Sequence, residues 1–179
     1  TISLLDGEDI TCTFTNTQRA TVNVVKDVVN DDGGTADVTP FEIGTSITSL
    51  SFDGGVPVDA NTMRYTATLT NVVPGTGYEV GEIDVFGYTE GTWVCTDGGG
   101  ANVGGGAFNN GLFDLPPGST VTCSIVNDDV APTITLVKNV VNDDGGNAGP
   151  DDFGISVDGN VVLSGSATPG AANTPSAIN

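Results

Sequence analysis

The sequence contains one segment twice, and this repeat limits the possible folds more than any other feature. Residues 21–34 read TVNVVKDVVNDDGG, and residues 133–146 read TITLVKNVVNDDGG, 112 positions later. Repetition at a fixed period is typical of tandem-repeat architectures. We therefore expect residues 1–20 to be the C-terminal strands of one repeat, residues 21–130 to be a complete repeat, and residues 131–179 to be the N-terminal part of the next.

The repeated segment carries a lysine on an apolar face. Lys26 and Lys138 are the only lysines in the chain. Because side chains alternate between the two faces of a strand, each lysine aligns with apolar neighbours. These neighbours are Val22, Val24 and Val28 in the first copy, and Ile134, Leu136 and Val140 in the second. A buried amine is costly unless it is paired or chemically altered, so the sequence should supply a partner for it.

Short alternating segments predict strands. Residues 9–17, DITCTFTNT, place Cys12 and Asn16 on one face with Ile10 and Phe14, which predicts a half-buried strand. Residues 120–128, TVTCSIVND, repeat the pattern. Their inward residues would be Val121, Cys123, Ile125 and Asn127. Turn signals separate the strands and no segment has a helical period, so the sequence predicts an all-β fold, an antiparallel β-sandwich in tandem repeats.

Further strands are predicted in the middle of the complete repeat, at residues 62–71, 78–82 and 91–96. Tyr78, Val80 and Glu82 would share one face of the second strand, and Trp93 and Cys95 one face of the third. Residues 97–111 are rich in Gly and Asn and are expected to form an exposed, mobile loop. Ala131-Pro132 is the expected domain boundary.

Composition excludes several classes of function. The formal net charge is −19, with four basic residues and no histidine. Nucleic-acid binding needs clustered Lys and Arg to neutralise phosphates, so no nucleic-acid partner is expected. The same charge opposes docking on anionic membranes. No run of about 20 apolar residues exists, so no membrane span is expected in this segment.

Two of the three cysteines fall inside the complete repeat. Cys95 and Cys123 lie there, whereas Cys12 has no counterpart of Cys95 before it. We predict a Cys95–Cys123 disulfide that joins the Trp-Val-Cys strand to the last strand and contributes about 3 kcal/mol. Such a bond implies an oxidising, extracellular compartment. Two buried free thiols are the alternative, and a metal site is disfavoured because the chain lacks histidine and close cysteine pairs.

Three inward polar residues suggest a self-made crosslink. Lys26 is on the first strand, Glu82 is in the middle and Asn127 is on the last strand. A neutral Lys26 amine could attack the Asn127 side-chain carbonyl, while a protonated Glu82 polarises that carbonyl and relays protons as ammonia leaves. The alternative is a buried Lys26–Glu82 ion pair with Asn127 hydrogen-bonded and unreacted.

The segments VNVVK, YEVGEIDVFGY and TCSIVN resemble those of bacterial surface domains with a prealbumin-like fold, the collagen-adhesin B-type and SpaA-like pilin repeats. In that family a first-strand Lys and a last-strand Asn form a spontaneous isopeptide bond, assisted by a Glu before a Gly-Tyr pair. Glu82 before Gly87-Tyr88 matches that placement. The resemblance implies an isopeptide bond between Lys26 and Asn127, with Glu82 as its catalyst. Lys138 is expected to stay unreacted.

The two NDDGG loops offer carboxylates next to glycine turns. Asp31 and Asp32 would suit calcium, which prefers oxygen ligands in flexible geometry, and Asp128 and Asp129 could add ligands. The same residues are simply good turn formers, and this second interpretation is favoured. No other cofactor is predicted.

These features together predict a non-enzymatic structural protein. It would be a subunit of an extracellular fibre, pilus-like filament or surface stalk, and its partners would be other copies or repeats of the same protein. The alternative is a cell-surface adhesin that binds a glycan or protein through the Gly-rich loop 97–111, with Phe108 and Phe113 as contact residues. An enzyme is disfavoured because Glu82 has only a single-turnover role.

Overall fold

The computed structural model describes residues 2–157, 160–162 and 176–178. The chain divides into two compact units, Thr1–Val130 and Ala131–Asn179. The first unit contains strands β1 to β10 and a three-residue 3-10 helix, Thr39–Phe41. Its strands are β1 Ala20–Val29, β2 Gly44–Thr45, β3 Val56–Pro57, β4 Thr62–Val72, β5 Gly75–Gly81, β6 Tyr88–Glu90, β7 Thr92–Asp97, β8 Asn102–Ala107, β9 Gly111–Leu115 and β10 Thr120–Asp129.

The strands of the first unit form one curled sheet in the order β2-β5-β9-β8-β7-β10-β1-β4-β3, with β6 paired to β10. The prediction of an all-β, prealbumin-like fold is confirmed. One pairing departs from the expected antiparallel arrangement, because β1 and β10 run parallel, with Thr21 opposite Thr120 and Val28 opposite Asn127. The first and last strands can pair this way because the rest of the unit serves as the crossover that parallel strands require.

The alternation of β1 and β10 determines the core. Val22, Val24 and Val28 of β1 are buried, as are Val121 and Ile125 of β10. They pack in one cluster with Trp93, Phe113, Leu115 and the two cysteines, and in a second cluster around Phe41 and Tyr65. Burial of each large apolar side chain stabilises the fold by about 1.5–3 kcal/mol.

The prediction of a mobile loop over residues 97–111 is wrong. Residues Asn102–Ala107 form β8, which pairs with β7 on one side and β9 on the other. A Cβ on Gly105 would collide with the backbone oxygen of Trp93, and one on Gly104 with the backbone oxygen of Leu112. The glycines that suggested a loop are therefore the residues that let three strands approach closely. Phe113 is buried and Phe108 packs against the core, so neither is the exposed contact residue of the adhesin hypothesis.

The predicted strand at residues 9–17 is also absent. Residues 8–19 have no regular secondary structure, and Ile10, Cys12 and Phe14 are exposed. The corresponding strand in the first unit, β10, is held by β1, β6 and β7. Among the described residues no strand pairs with residues 9–17, so the alternating pattern has no hydrogen-bonded neighbour in this structure.

The second unit is described over fewer residues. It contains β11 Ile134–Leu136, a 3-10 helix Pro150–Asp152, β12 Ile155–Val157, β13 Asn160–Val162 and β14 Ser176–Ile178. β11 pairs with β14 and β12 with β13, both antiparallel. Ile134 is exposed and Lys138 is exposed, so the inward row predicted for this copy is not buried here.

The two copies of the NDDGG loop fold alike. Asn30 Nδ2 donates to the Ala36 carbonyl at 3.1 Å, and Asn142 Nδ2 donates to the Ala148 carbonyl at 2.9 Å. Both donors and both acceptors are 112 positions apart. The segment thus has the same local hydrogen bonding in both units. The assignment of residues 1–20, 21–130 and 131–179 to three successive repeats stays a prediction.

Candidate functional site

The first unit has a buried charged pair at its centre. Lys26 lies on the inner face of β1 and is fully buried. Its Nζ donates to Glu82 Oε2 at 2.6 Å, and neither side chain has exposed surface. Glu82 follows the end of β5 and shares the inner face with Val80. The sequence therefore placed both residues on the correct side, and the fold brings them into contact.

Asn127 lies on the other side of the same carboxylate. It is a fully buried residue of β10. It follows Ile125, the residue opposite Lys26, by two positions. Its Nδ2 donates to Glu82 Oε1 at 2.6 Å. Glu82 thus bridges the amine and the amide with its two oxygens, and all three predicted residues meet in one place.

The buried surroundings of Lys26 favour the neutral form of its amine. Burial lowers the pKa of Lys26 to about 8, while the hydrogen bond and the negative charge of Glu82 oppose this shift. The Lys26 Nζ also lies 3.9 Å from the centroid of the Phe41 ring. A neutral amine is accordingly far more accessible than for a lysine in water, and only the neutral amine is nucleophilic.

The arrangement has the components of an intramolecular acyl transfer. A nucleophile and an amide are held by one carboxyl group that can accept a proton from the amine and donate one to the amide. The side chains are buried, and the lower dielectric constant of a protein interior strengthens each of these interactions. The contacts equally describe an ion pair that has not reacted, so the covalent bond belongs with the proposals below.

The second predicted link is present. Cys95 and Cys123 are opposite residues of β7 and β10 and form a disulfide. Both are fully buried in the main core cluster. The bond fixes β10 to β7, while β10 also pairs with β1, so the last strand is secured on both sides.

The first NDDGG loop, residues 30–34, is called the acidic loop below, and its backbone binds the carboxylate of Asp129. Asp129 accepts hydrogen bonds from the backbone N–H groups of Asp31, Asp32 and Gly34. Burial raises the pKa of Asp129, but these hydrogen bonds outweigh it and keep the pKa below its usual value. Carboxylate oxygens of Asp31, Asp128 and Asp129 lie within 4.8 Å of one another, a group that does not include Asp32. Calcium binding at Asp31 and Asp32 stays a prediction.

Two contacts of this region were not predicted from the sequence, that of Phe41 with Lys26 and that of Asp129 with the backbone of residues 31–34. The ring of Phe41 packs against the Lys26 amine. The one sequence signal for this residue is its recurrence as Phe153, 112 positions later. The inward position of Asp129 follows from its parity with Asn127 along β10, a signal that the sequence did contain. Its backbone partners could not be inferred, because they depend on how the loop after β1 turns back towards β10.

Comparison with known families identifies the domain type. The family model described as the SpaA-type prealbumin-like fold domain matches residues 17–125 and again residues 129–178. The chain belongs to this family. SpaA-type prealbumin-like domains are structural domains of pilus and surface proteins, typically exposed on bacteria, and are not typically enzymes. No match was found among curated proteins or among solved structures. In the part of the chain that the structure describes, no helix is long and apolar enough to cross a membrane.

Proposed function

We propose that this chain is a segment of an extracellular bacterial fibre, pilus-like filament or stalk, in which each complete domain crosslinks itself. The supporting observation is the buried Lys26–Glu82–Asn127 arrangement, with Glu82 in contact with both prospective partners at 2.6 Å. The partners would be other copies or repeats of the same protein. The disulfide supports a location outside the cell.

The reaction exchanges one amide for another. The proton of the Lys26 ammonium passes to Glu82, and the neutral Nζ attacks Cγ of Asn127, whose oxygen is polarised by the protonated Glu82. The Cγ–Nδ2 bond then breaks, Nδ2 leaves as ammonia, and a secondary amide joins Nζ to Cγ. No external reagent is needed, and a buried charged pair is replaced by a neutral amide and a neutral carboxyl group.

The position of the bond suits a load-bearing role. Lys26 is on the first strand of the unit and Asn127 is on the last, and these strands are parallel neighbours. Tension applied at the two ends of the unit would run along β1 to Lys26, cross the new amide and leave through Asn127. Residues 27–126 would then carry none of that force, and the domain could not unravel under it.

Mass spectrometry of the intact chain, reduced and alkylated, tests the proposal. We expect the parent to be lighter than its sequence mass by one ammonia and the Glu82→Ala variant to have its full mass. Lys138→Ala is a matched control, since it removes the corresponding lysine of the next copy and should retain the loss. A parent at full sequence mass would show that the three residues form only an ion pair and a hydrogen bond.

A further inference from the structure

A second carboxyl group lies beside the proposed crosslink. Glu90 is the last residue of β6 and is directly opposite Asn127 in the antiparallel β6–β10 pair. Residues directly opposite each other project to the same face of the sheet, with Cβ atoms about 5 Å apart. Tyr88, two positions earlier in β6, packs against the core cluster around Phe41. The Glu90 side chain therefore faces the interior next to Asn127, and the residue is partly buried.

Two atoms in this region lack hydrogen-bond partners. Among the described residues, the buried side-chain atoms without a partner are Glu90 Oε1 and Asn127 Oδ1. They belong to cross-strand neighbours, and an unpaired buried polar atom is unfavourable. Rotation of the Asn127 amide by half a turn would direct its oxygen towards Glu82 and its nitrogen to the side that Oδ1 now occupies. The Asn127 oxygen would then accept a hydrogen bond from protonated Glu82, which polarises the carbonyl. The Asn127 nitrogen would need a proton donor on its other side.

The surroundings of Glu90 favour its protonated form. A hydrogen bond with Asp84 raises the pKa of Glu90, and the negative charges of Asp84 and Glu82 add to this effect. Lys26 is a cation within range of Glu90, because the negative charge of Glu90 is one of those that raise the Lys26 pKa. Asp84 is exposed, so the pair of carboxyl groups extends from the buried site to water.

We propose that Glu90 is the general acid that protonates the departing nitrogen of Asn127. This inference deepens the proposed self-crosslinking function and rests on it. After Nζ of Lys26 attacks Cγ, Glu90 gives its proton to Nδ2 as the Cγ–Nδ2 bond breaks, and ammonia leaves. The new amide nitrogen must lose one proton, and the Glu90 carboxylate accepts it. Glu90 therefore ends the reaction in its starting form, while Glu82 holds the oxygen throughout.

The rate of crosslinking after synthesis tests this role. The full chain would be made in a short cell-free synthesis pulse and chased at several pH values, with intact mass recording the loss of ammonia over time. General acid catalysis contributes about 100-fold or more, so Glu90→Gln should slow crosslinking by about 100-fold. The Glu90→Asp variant should regain part of the rate because it retains a carboxyl group. Lys26 and Glu82 give both chains a common pH dependence. The parent rate should show an additional fall as the pH rises and Glu90 ionises, and Glu90→Gln should lack that additional fall.

The outcomes separate this inference from the proposed function. If the parent never loses ammonia, both are overturned. If the parent crosslinks and Glu90→Gln crosslinks at the same rate and with the same pH profile, Glu90 is not the acid and the crosslink stands. If Glu90→Gln and Glu90→Asp are equally slow and share one pH profile, the residue acts only through packing and the general-acid role is overturned. Circular dichroism of each variant establishes that the compared chains are folded.

Discussion

The Nζ of Lys26 lies over the ring of Phe41, 3.9 Å from its centroid. Lys138 lies in the same way over Phe153, at 4.1 Å. Lysine and phenylalanine are each displaced by 112 positions, although the residues just before the two phenylalanines differ. Lys26 is fully buried and Lys138 is exposed, so the contact does not depend on burial of the lysine. The contact between the lysine and the aromatic ring is therefore common to both copies, although each phenylalanine lies outside the repeated segment.

Blocking the crosslink should reveal a titrating lysine. In an Asn127→Ala variant, Lys26 keeps its amine, whose pKa is lowered to about 8 by burial in the fold, against about 10.4 in an unfolded chain. The unfolded state then binds more protons between these values, so the free energy of unfolding should increase as the pH rises from about 8 to about 10. The increase should be at most about 3 kcal/mol.

Urea unfolding at a series of pH values measures this increase. The parent provides the first control, because a crosslinked Lys26 has no titrating amine and should lack the alkaline rise. The double variant Lys26→Met, Asn127→Ala provides the second, because it lacks the group altogether. A flat profile for the single variant would mean that Lys26 remains protonated in the folded state.

Removal of the disulfide should weaken the first unit. Cys95 and Cys123 are 28 positions apart, and closing a loop of this length restricts the unfolded chain enough to contribute about 3 kcal/mol. The double variant Cys95→Ala, Cys123→Ala should have a free energy of unfolding lower by that amount, and it should therefore unfold at a lower urea concentration. Cys12→Ser is the matched control, since Cys12 is free and exposed, and its midpoint should equal that of the parent.

The sequence predicted the parts of the site that depend on alternation. Parity along β1 and β10 places Lys26 and Asn127 inward, and parity along β5 does the same for Glu82. Pairing between distant strands could not be predicted in this way, because it depends on the topology of the whole sheet. The position of Glu90 opposite Asn127 is one example, and the parallel β1–β10 pair is another.

Glycine content predicts the wrong structure for residues 97–111, because it does not reveal which strands approach closely. Gly104 and Gly105 have the composition of a loop, yet they lie in a strand between two close neighbours. A glycine in the sequence shows that a side chain is absent. It does not show whether the chain turns there or whether a neighbouring strand approaches closely. The opposite error occurred at residues 9–17, where alternation alone does not make a strand without neighbours to pair with.

Neutralising Asp129 should release the acidic loop. Asp129 accepts hydrogen bonds from three backbone N–H groups. Burial raises the pKa of Asp129, but these hydrogen bonds keep the pKa below its usual value. The stabilisation is thus complete above the unfolded pKa of about 3.9 and is lost as the pH falls through the folded value. Asp129→Asn should lower the free energy of unfolding at neutral pH and remove this part of the acid dependence. Urea unfolding from about pH 6 to about pH 2 compares the two chains, and identical profiles would contradict the assignment.

The repeat supplies a matched pair of glycines for the same loop. A Cβ on Gly34 would lie 2.5 Å from the Tyr88 hydroxyl and 2.8 Å from Asp129 Cβ, whereas on Gly146 it would meet only Asn142, with Oδ1 at 2.9 Å. Gly34→Ala must therefore push the loop away from Asp129, and such overpacking typically costs about 1–3 kcal/mol. Gly146→Ala should cost much less, since a flexible side chain can move aside. Hydrogen exchange of the Asp31, Asp32 and Gly34 amides measures the effect directly. Faster exchange is expected in Gly34→Ala and unchanged exchange in Gly146→Ala, and equal rates in both variants would show that the loop does not depend on close approach to Asp129.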